Sequence, residues 1–158
     1  MGAINNAFNQ AAGAVAGAAL AIKHAKETEE SKMNTADSTA MVARIQAKSA
    51  TDEANAATNE AMKDGGLKEQ LTVAGRNIGK AEKAYDRAAK RKNGSPKTRY
   101  KKFTELEAAN KAVSELNNKY QALMDLKNRA KEQITYAAKA TEMAINAKEK
   151  FEKHWGGK

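Results

Sequence analysis

ADSTAMVARIQAKSATDEANAATNEA, residues 36–61, is the stretch on which the fold turns. Its seam alanines, Ala36, Ala40, Ala43, Ala47, Ala50, Ala54, Ala57 and Ala61, follow a 4-3-4-3-4-3-4 spacing. Side chains three and four apart share one helix face, so this is a heptad stripe with a small residue at every position. Small knobs let neighbouring helices approach closely, in the register of a coiled coil. Met33, Met41, Val42, Ile45 and Met62 widen the stripe at its edge. Asn34-Thr35 followed by Asp37 predicts a helix start just before it.

Toward the C-terminus, Asp64-Gly65-Gly66 predicts a stop or hinge. Leu67, Leu71, Ala74, Ile78, Ala81, Tyr85 and Ala88 then resume the same spacing. Gly75 and Gly79 sit beside that seam at the spacing of tight helix packing. Lys92-Asn93-Gly94-Ser95-Pro96 predicts a turn, with Ser95 as cap and the sole proline at the first helical position. A last seam runs Leu106, Ala109, Val113, Leu116, Tyr120, Leu123, Lys127, Ala130, Ile134, Ala137, Thr141, Ala144, Lys148, Phe151. A helix of that length does not suit a compact globule. It predicts a fold-back on an earlier segment or a bundle of copies.

Toward the N-terminus, residues 1–22 (MGAINNAFNQAAGAVAGAALAI) carry no charged side chain. Ile4, Phe8, Ala11, Val15, Ala18 and Ile22 stack on one face, and Leu20 adds to the apolar content. Asn5, Asn6, Asn9 and Gln10 make the first turns amphipathic. The wholly apolar run from Ala11 to Ile22 rises roughly 18 Å as helix, short of a ~30 Å hydrocarbon core. Gly13 and Gly17 form a GxxxG pair that permits close helix contact in a membrane. Lys23, His24 and Lys26 follow where headgroup phosphates would lie. Ile4, Phe8, Val15, Leu20 and Ile22 are thus the membrane-contact candidates. A packing helix inside an assembly is the plainer alternative. A cleaved signal is a third, although the basic residues follow the apolar run where they should precede it.

The resulting expectation is an all-α chain. Its parts are an uncharged helix at 1–22, an alanine-seam helix at 23–64, a second heptad helix at 65–92, a turn at 93–98, a long heptad helix at 99–153 and a tail at 154–158. The long helices would form a coiled-coil hairpin, a bundle or an oligomeric tube. Composition agrees. Of 158 residues 34 are alanine, while Leu, Ile, Val and Phe together number only 20, and the net charge is +9. So few bulky residues bury too little surface to offset chain entropy alone, which predicts a homo-oligomer joined through its seams.

There is no cysteine, which removes disulfides and thiolate metal sites. The two histidines, His24 and His154, have no carboxylates at ligand spacing beside them, and no nucleophile elbow or phosphate-binding loop occurs. No catalytic, cofactor or metal site is expected, and Glu27, Glu29 and Glu30 read as a solvated face. The charge is uneven: residues 23–64 hold six Lys/Arg against eight Asp/Glu, whereas 65–158 hold 22 against 11. Arg87, Lys90, Arg91, Lys92, Lys97, Arg99, Lys101 and Lys102 surround the turn without an intervening acid, and Tyr100 and Phe103 are interleaved. Cations meet phosphates and rings stack on unpaired bases, so sequence-independent nucleic-acid contact is the leading reading. A solvated elbow or an acidic lipid surface would suit the same residues. Trp155, the single tryptophan, suits a membrane interface, a subunit contact or a simple C-terminal cap.

An uncharged Gly/Ala opening (MGAINNAFNQAAGAVAGAALAIK), long heptad helices and a basic C-terminal half resemble the DNA pilot, or minor spike, proteins of the small icosahedral single-stranded DNA bacteriophages, the microviruses. The resemblance implies a virion protein whose copies assemble into a tube through coiled-coil helices and carry the genome across the host envelope. Ile4 to Ile22 would correspond to the membrane-active end, the seams to the tube-forming helices, and amide and basic side chains to the DNA-facing surface. Capsid proteins become possible partners, and the virion and host envelope the expected locations. The glycine turns favour folded hairpins over one continuous tube helix. A phage scaffold or internal structural protein, and a membrane-damaging effector, are the alternatives.

Overall fold

The computed structural model describes residues 2–156, and the opening Met1 and the last two tail residues, Gly157 and Lys158, lie outside them. Three helices, α1 (Gly2–Met62), α2 (Leu67–Lys90) and α3 (Pro96–Trp155), account for nearly all of it, and the described residues form no strand. Alanine, lysine and glutamate are the commonest residues of these segments and rank among the strongest helix formers. The one proline opens α3, where its missing N–H costs nothing.

Neither Ile22–Lys23 nor Asn34 interrupts α1. The stretch between them holds no glycine or proline, so the weak start signal at Asn34-Thr35 is outweighed by the propensity on both sides. Trp155 likewise belongs to α3 and not to a tail; the helix closes with the Gly156 N–H donating to the Glu152 carbonyl at 2.8 Å.

The chain divides into two compact units, one made of residues up to Ala47 with those from Gln133, the other of Lys48–Glu132. In the first unit α1 and α3 run in opposite directions. Its core is Ala40, Ala43 and Ala47 of α1 against Ala137 and Ala140 of α3, with Ala144 packed beside them. Ala40 and Ala43 are only 1% exposed, and among the described residues every buried hydrophobic one is an alanine.

In the second unit the last turns of α1 and the first of α2 meet the same stretch of α3. Ala57, Ala61, Gly66, Leu67, Leu123 and Leu126 border a hollow of about 420 Å³ there. The far end of α2 reaches the start of α3, where the Tyr85 and Phe103 rings lie 5.9 Å apart at 54°. The end of α1 and the whole of α2 therefore lie one after the other along α3.

The link between them is tightly made. Gly65 has φ +72°, a left-handed conformation suited to glycine. Its N–H donates to Glu69 Oε2 at 2.6 Å, and the Gln70 amide donates to its carbonyl at 2.8 Å. Glu69 sits at the third helical position and reaches backward as in a capping box. Gly66 is crowded: a Cβ there would stand 2.5–2.8 Å from the carbonyls of Glu60, Lys63 and Ala61.

All eight seam alanines of α1 are buried or half-buried, and so are the seven seam positions of α2. On α3 the pattern departs from the sequence-derived seam. Tyr120, Ile134 and Lys148 are exposed, while Leu126, Gln133, Ala140 and Ala147 turn inward. The row Ala109, Leu116, Leu123, Ala130, Ala137, Ala144, Phe151 is kept; in its companion row Leu106, Val113, Lys127 and Thr141 are half-buried, and from Leu126 onward the residue before each companion position is covered as well. The inward face thus broadens from Leu126, just past the stretch of α3 beside the Lys63–Gly66 link, where α3 changes partner from α2 to α1. Two separate helices need not share one phase. Gly75 and Gly79 mark no close approach, for a Cβ on either would meet nothing within 4 Å.

Two substitutions test this packing. Ala43→Leu puts a bulky side chain into an alanine contact and should cost about 1–3 kcal/mol, whereas the same change at exposed Ala56 should be near neutral. Gly66→Ala should also lower the melting midpoint followed by circular dichroism at 222 nm. Equal melting of the Ala43 and Ala56 variants would contradict an alanine-limited interface.

Candidate functional site

Two places on the chain hold residues not absorbed by packing. The first is the elbow between α2 and α3, within the second unit. Arg91 leaves the helix with φ −72° and ψ 121°, and the Gly94 N–H turns back to its carbonyl at 3.3 Å. The Arg99 N–H donating to the Ser95 carbonyl at 3.1 Å begins α3. A Cβ on Gly94 would lie 3.3 Å from Arg91 Cβ, so the turn is compact and holds the two helix ends close.

Of the eight cations expected to share a surface, Arg87, Arg91, Arg99 and Lys102 line one cavity of about 330 Å³, with Ser95 and Thr98 at its wall. Lys90, Lys92, Lys97 and Lys101 are exposed and border none of it. Lys102 is the most covered of the eight and reaches Glu105 Oε2 at 3.2 Å. The Arg87 Nε donates to the Lys83 carbonyl at 3.3 Å. Among the described residues no carboxylate forms an ion pair with Arg87, Arg91 or Arg99. Tyr100 is 72% exposed, while Phe103, at 41%, lies with one side against Tyr85, so Tyr100 is the more open of the two interleaved aromatics.

The second place is the N-terminal part of α1, within the first unit. Every residue from Gly2 to Thr28 is exposed. Ile4, Phe8, Val15, Leu20 and Ile22 range from 56% to 74% exposure. A Cβ on Gly13 or Gly17 would meet nothing within 4 Å, so among the described residues no other element packs against this pair. Phe8, Val15 and Ile22 are seven apart, and the same row continues through Glu29 to Ala36 and Ala43. The exposed apolar face is thus the packing seam itself, prolonged past the end of α3. Among the described residues no helix is long and apolar enough to cross a membrane.

At the point where α3 ends, Glu29 receives the Trp155 indole N–H at 2.7 Å and lies 3.2 Å from His154 Nδ1. The sequence puts Glu29 on a solvated face and offers Trp155 a membrane interface, a subunit contact or a C-terminal cap, whereas the two side chains meet within the chain. The available signal was an acid standing in an otherwise apolar heptad row. The indole hydrogen bond holds the Glu29 carboxyl below its usual range; partial desolvation opposes this, and His154 and Lys150 add to the lowering.

Comparison with family models, with curated proteins and with solved structures finds no match to this chain.

A carboxyl whose folded value is lowered stabilises the fold above its unfolded value and loses that contribution as pH falls through the folded one. The contribution of the Glu29 carboxylate to this contact should therefore be fully present down to about pH 4.5, the ordinary value for Glu29. Below it the Trp155 emission should shift to the red. Glu29→Gln should abolish the acid transition; an unchanged transition in that variant would assign it to another group.

Proposed function

We propose that this chain is a non-enzymatic, self-assembling helical protein carried in a virion, which delivers a viral genome across the host envelope as the microvirus pilot proteins it resembles do. The observation that carries the reading is where the apolar side chains lie. Among the described residues no hydrophobic side chain larger than alanine is buried, whereas bulky residues such as Ile4, Phe8, Val15, Ile22, Ile45, Tyr136 and Met143 are exposed. An alanine methyl contributes roughly 0.8 kcal/mol on burial, against about 1.5–3 for a leucine or phenylalanine. A chain that reserves its large side chains for the surface gains most of its burial from partners.

In this reading the alanine seams form a coiled-coil hairpin, and copies associate through the outer apolar residues into a bundle or tube. Grooves of the first unit support this. One, of about 510 Å³, is bordered by Ala36, Tyr136, Ala140 and Met143; another, of about 460 Å³, by Ala137 and Ile145. The N-terminal helix lies along a lipid surface with Phe8, Val15 and Ile22 inward and Asn5, Asn9 and Lys23 toward water, or enters the membrane only as part of an assembly. The elbow cations contact the genome without reading its sequence.

A phage scaffold or internal structural protein is the second reading. The phase continuity of Phe8, Val15 and Ile22 with Ala36 and Ala43 favours it, since a partner helix would cover that row as α3 covers the alanines.

Flotation with anionic and neutral liposomes separates the two. The full chain should float and a chain lacking residues 1–22 should not. If both forms stay at the bottom, the delivery reading fails and the internal structural role remains. Helix content at 222 nm should also rise with protein concentration; a melt independent of concentration would contradict assembly.

A further inference from the structure

Building on the nucleic-acid reading above, we infer that the cavity at the α2–α3 elbow is a phosphate pocket for single-stranded nucleic acid, so that four of the eight cations do most of the binding. Arg87 borders it from the last turn of α2, Arg91 from the residue just past that helix, and Arg99 and Lys102 from the first turns of α3. Cations from two helices converge on one space, which a merely solvated basic surface does not require. At about 330 Å³ the space falls at the low end of the ~300–1,000 Å³ typical of ligand sites, suited to a phosphodiester and the sugar beside it.

The charge balance in the cavity is unresolved within the chain. Lys102 has its acid, Glu105, but Arg87, Arg91 and Arg99 have none among the described residues. A phosphate bound among these side chains supplies the missing negative charge and can accept two parallel hydrogen bonds from a guanidinium fork. Ser95 and Thr98 supply hydroxyls at the wall. A lipid headgroup and a free phosphate ion share this chemistry. Nucleic acid is favoured because Tyr100, next to Arg99, offers its ring to solvent at 72% exposure, where an unpaired base can stack. A duplex keeps its bases stacked inside and makes no use of that ring.

The test compares two variants that remove equal charge. Arg91→Gln with Arg99→Gln empties the pocket of two forks, while Lys90→Gln with Lys97→Gln removes two cations outside it. All four side chains are exposed, so circular dichroism should show unchanged helix content in both. Anisotropy with a labelled oligothymidine should show about tenfold weaker binding for the pocket variant and no more than about threefold for the outer one. Arg91→Lys with Arg99→Lys keeps the charge and should still weaken binding about fivefold, because the forks are lost. Equal losses for the two glutamine variants would overturn the pocket while leaving nucleic-acid contact standing. No binding by the unaltered chain would remove both. Vesicles of anionic phospholipid and inorganic phosphate serve as the other arms. Vesicle binding lost in the pocket variant with oligonucleotide binding kept would assign the pocket to headgroups. Displacement of the oligonucleotide by inorganic phosphate at equal phosphate concentration would reduce it to a free-ion site. Either result overturns the proposal.

Discussion

Alanine meeting alanine is the contact on which the rest depends. Where Ala40, Ala43 and Ala47 face Ala137 and Ala140, there is no bulk to hold the helices apart, so the backbones come close and the core is thin. A thin core contributes little free energy per residue. It also leaves no inward room for larger apolar groups, and Met41, Val42, Ile45, Tyr136, Met143 and Ile145 are accordingly displaced to the flanks. The surface of the first unit is therefore as much a product of its core as the core is of the sequence.

The same register explains why the N-terminus is unlike an ordinary frayed end. Its row of Phe8, Val15 and Ile22 is built in phase with a seam that already has a partner further along. Glu29 and Trp155 mark the boundary: on one side the row is covered by α3, on the other it is bare. A polar clasp at that boundary suits its position, since a hydrogen bond between a carboxylate and an indole tolerates water where a hydrophobic contact would be half lost.

Much of the all-helical character was legible, because helix propensity and the 4-3 spacing are local and additive along the chain. The alanines at 36–61 and the leucine-containing row at 67–88 face inward as their spacing implies. What was not legible depends on other parts of the chain. The companion row of α3 follows whichever helix lies opposite, and no periodicity within α3 reports the change of partner at the link. Glu29 and Trp155 are 126 residues apart, beyond any local pattern. At the elbow the eight cations were visible as a cluster, but which four border a common cavity depends on how the turn brings the end of α2 to the start of α3.

The link at Lys63–Gly66 has a further consequence, for how such a chain can change over time. One side of the pairing is a single continuous helix and the other is interrupted, so the break acts as an expansion joint. A residue gained or lost within α3 rotates everything beyond it by about 100° and carries the inward row to the flank. The same event at the joint is absorbed by backbone that is already irregular. Length variation in relatives of this chain would accordingly gather on the interrupted side, leaving the continuous helix as the ruler against which the others are set.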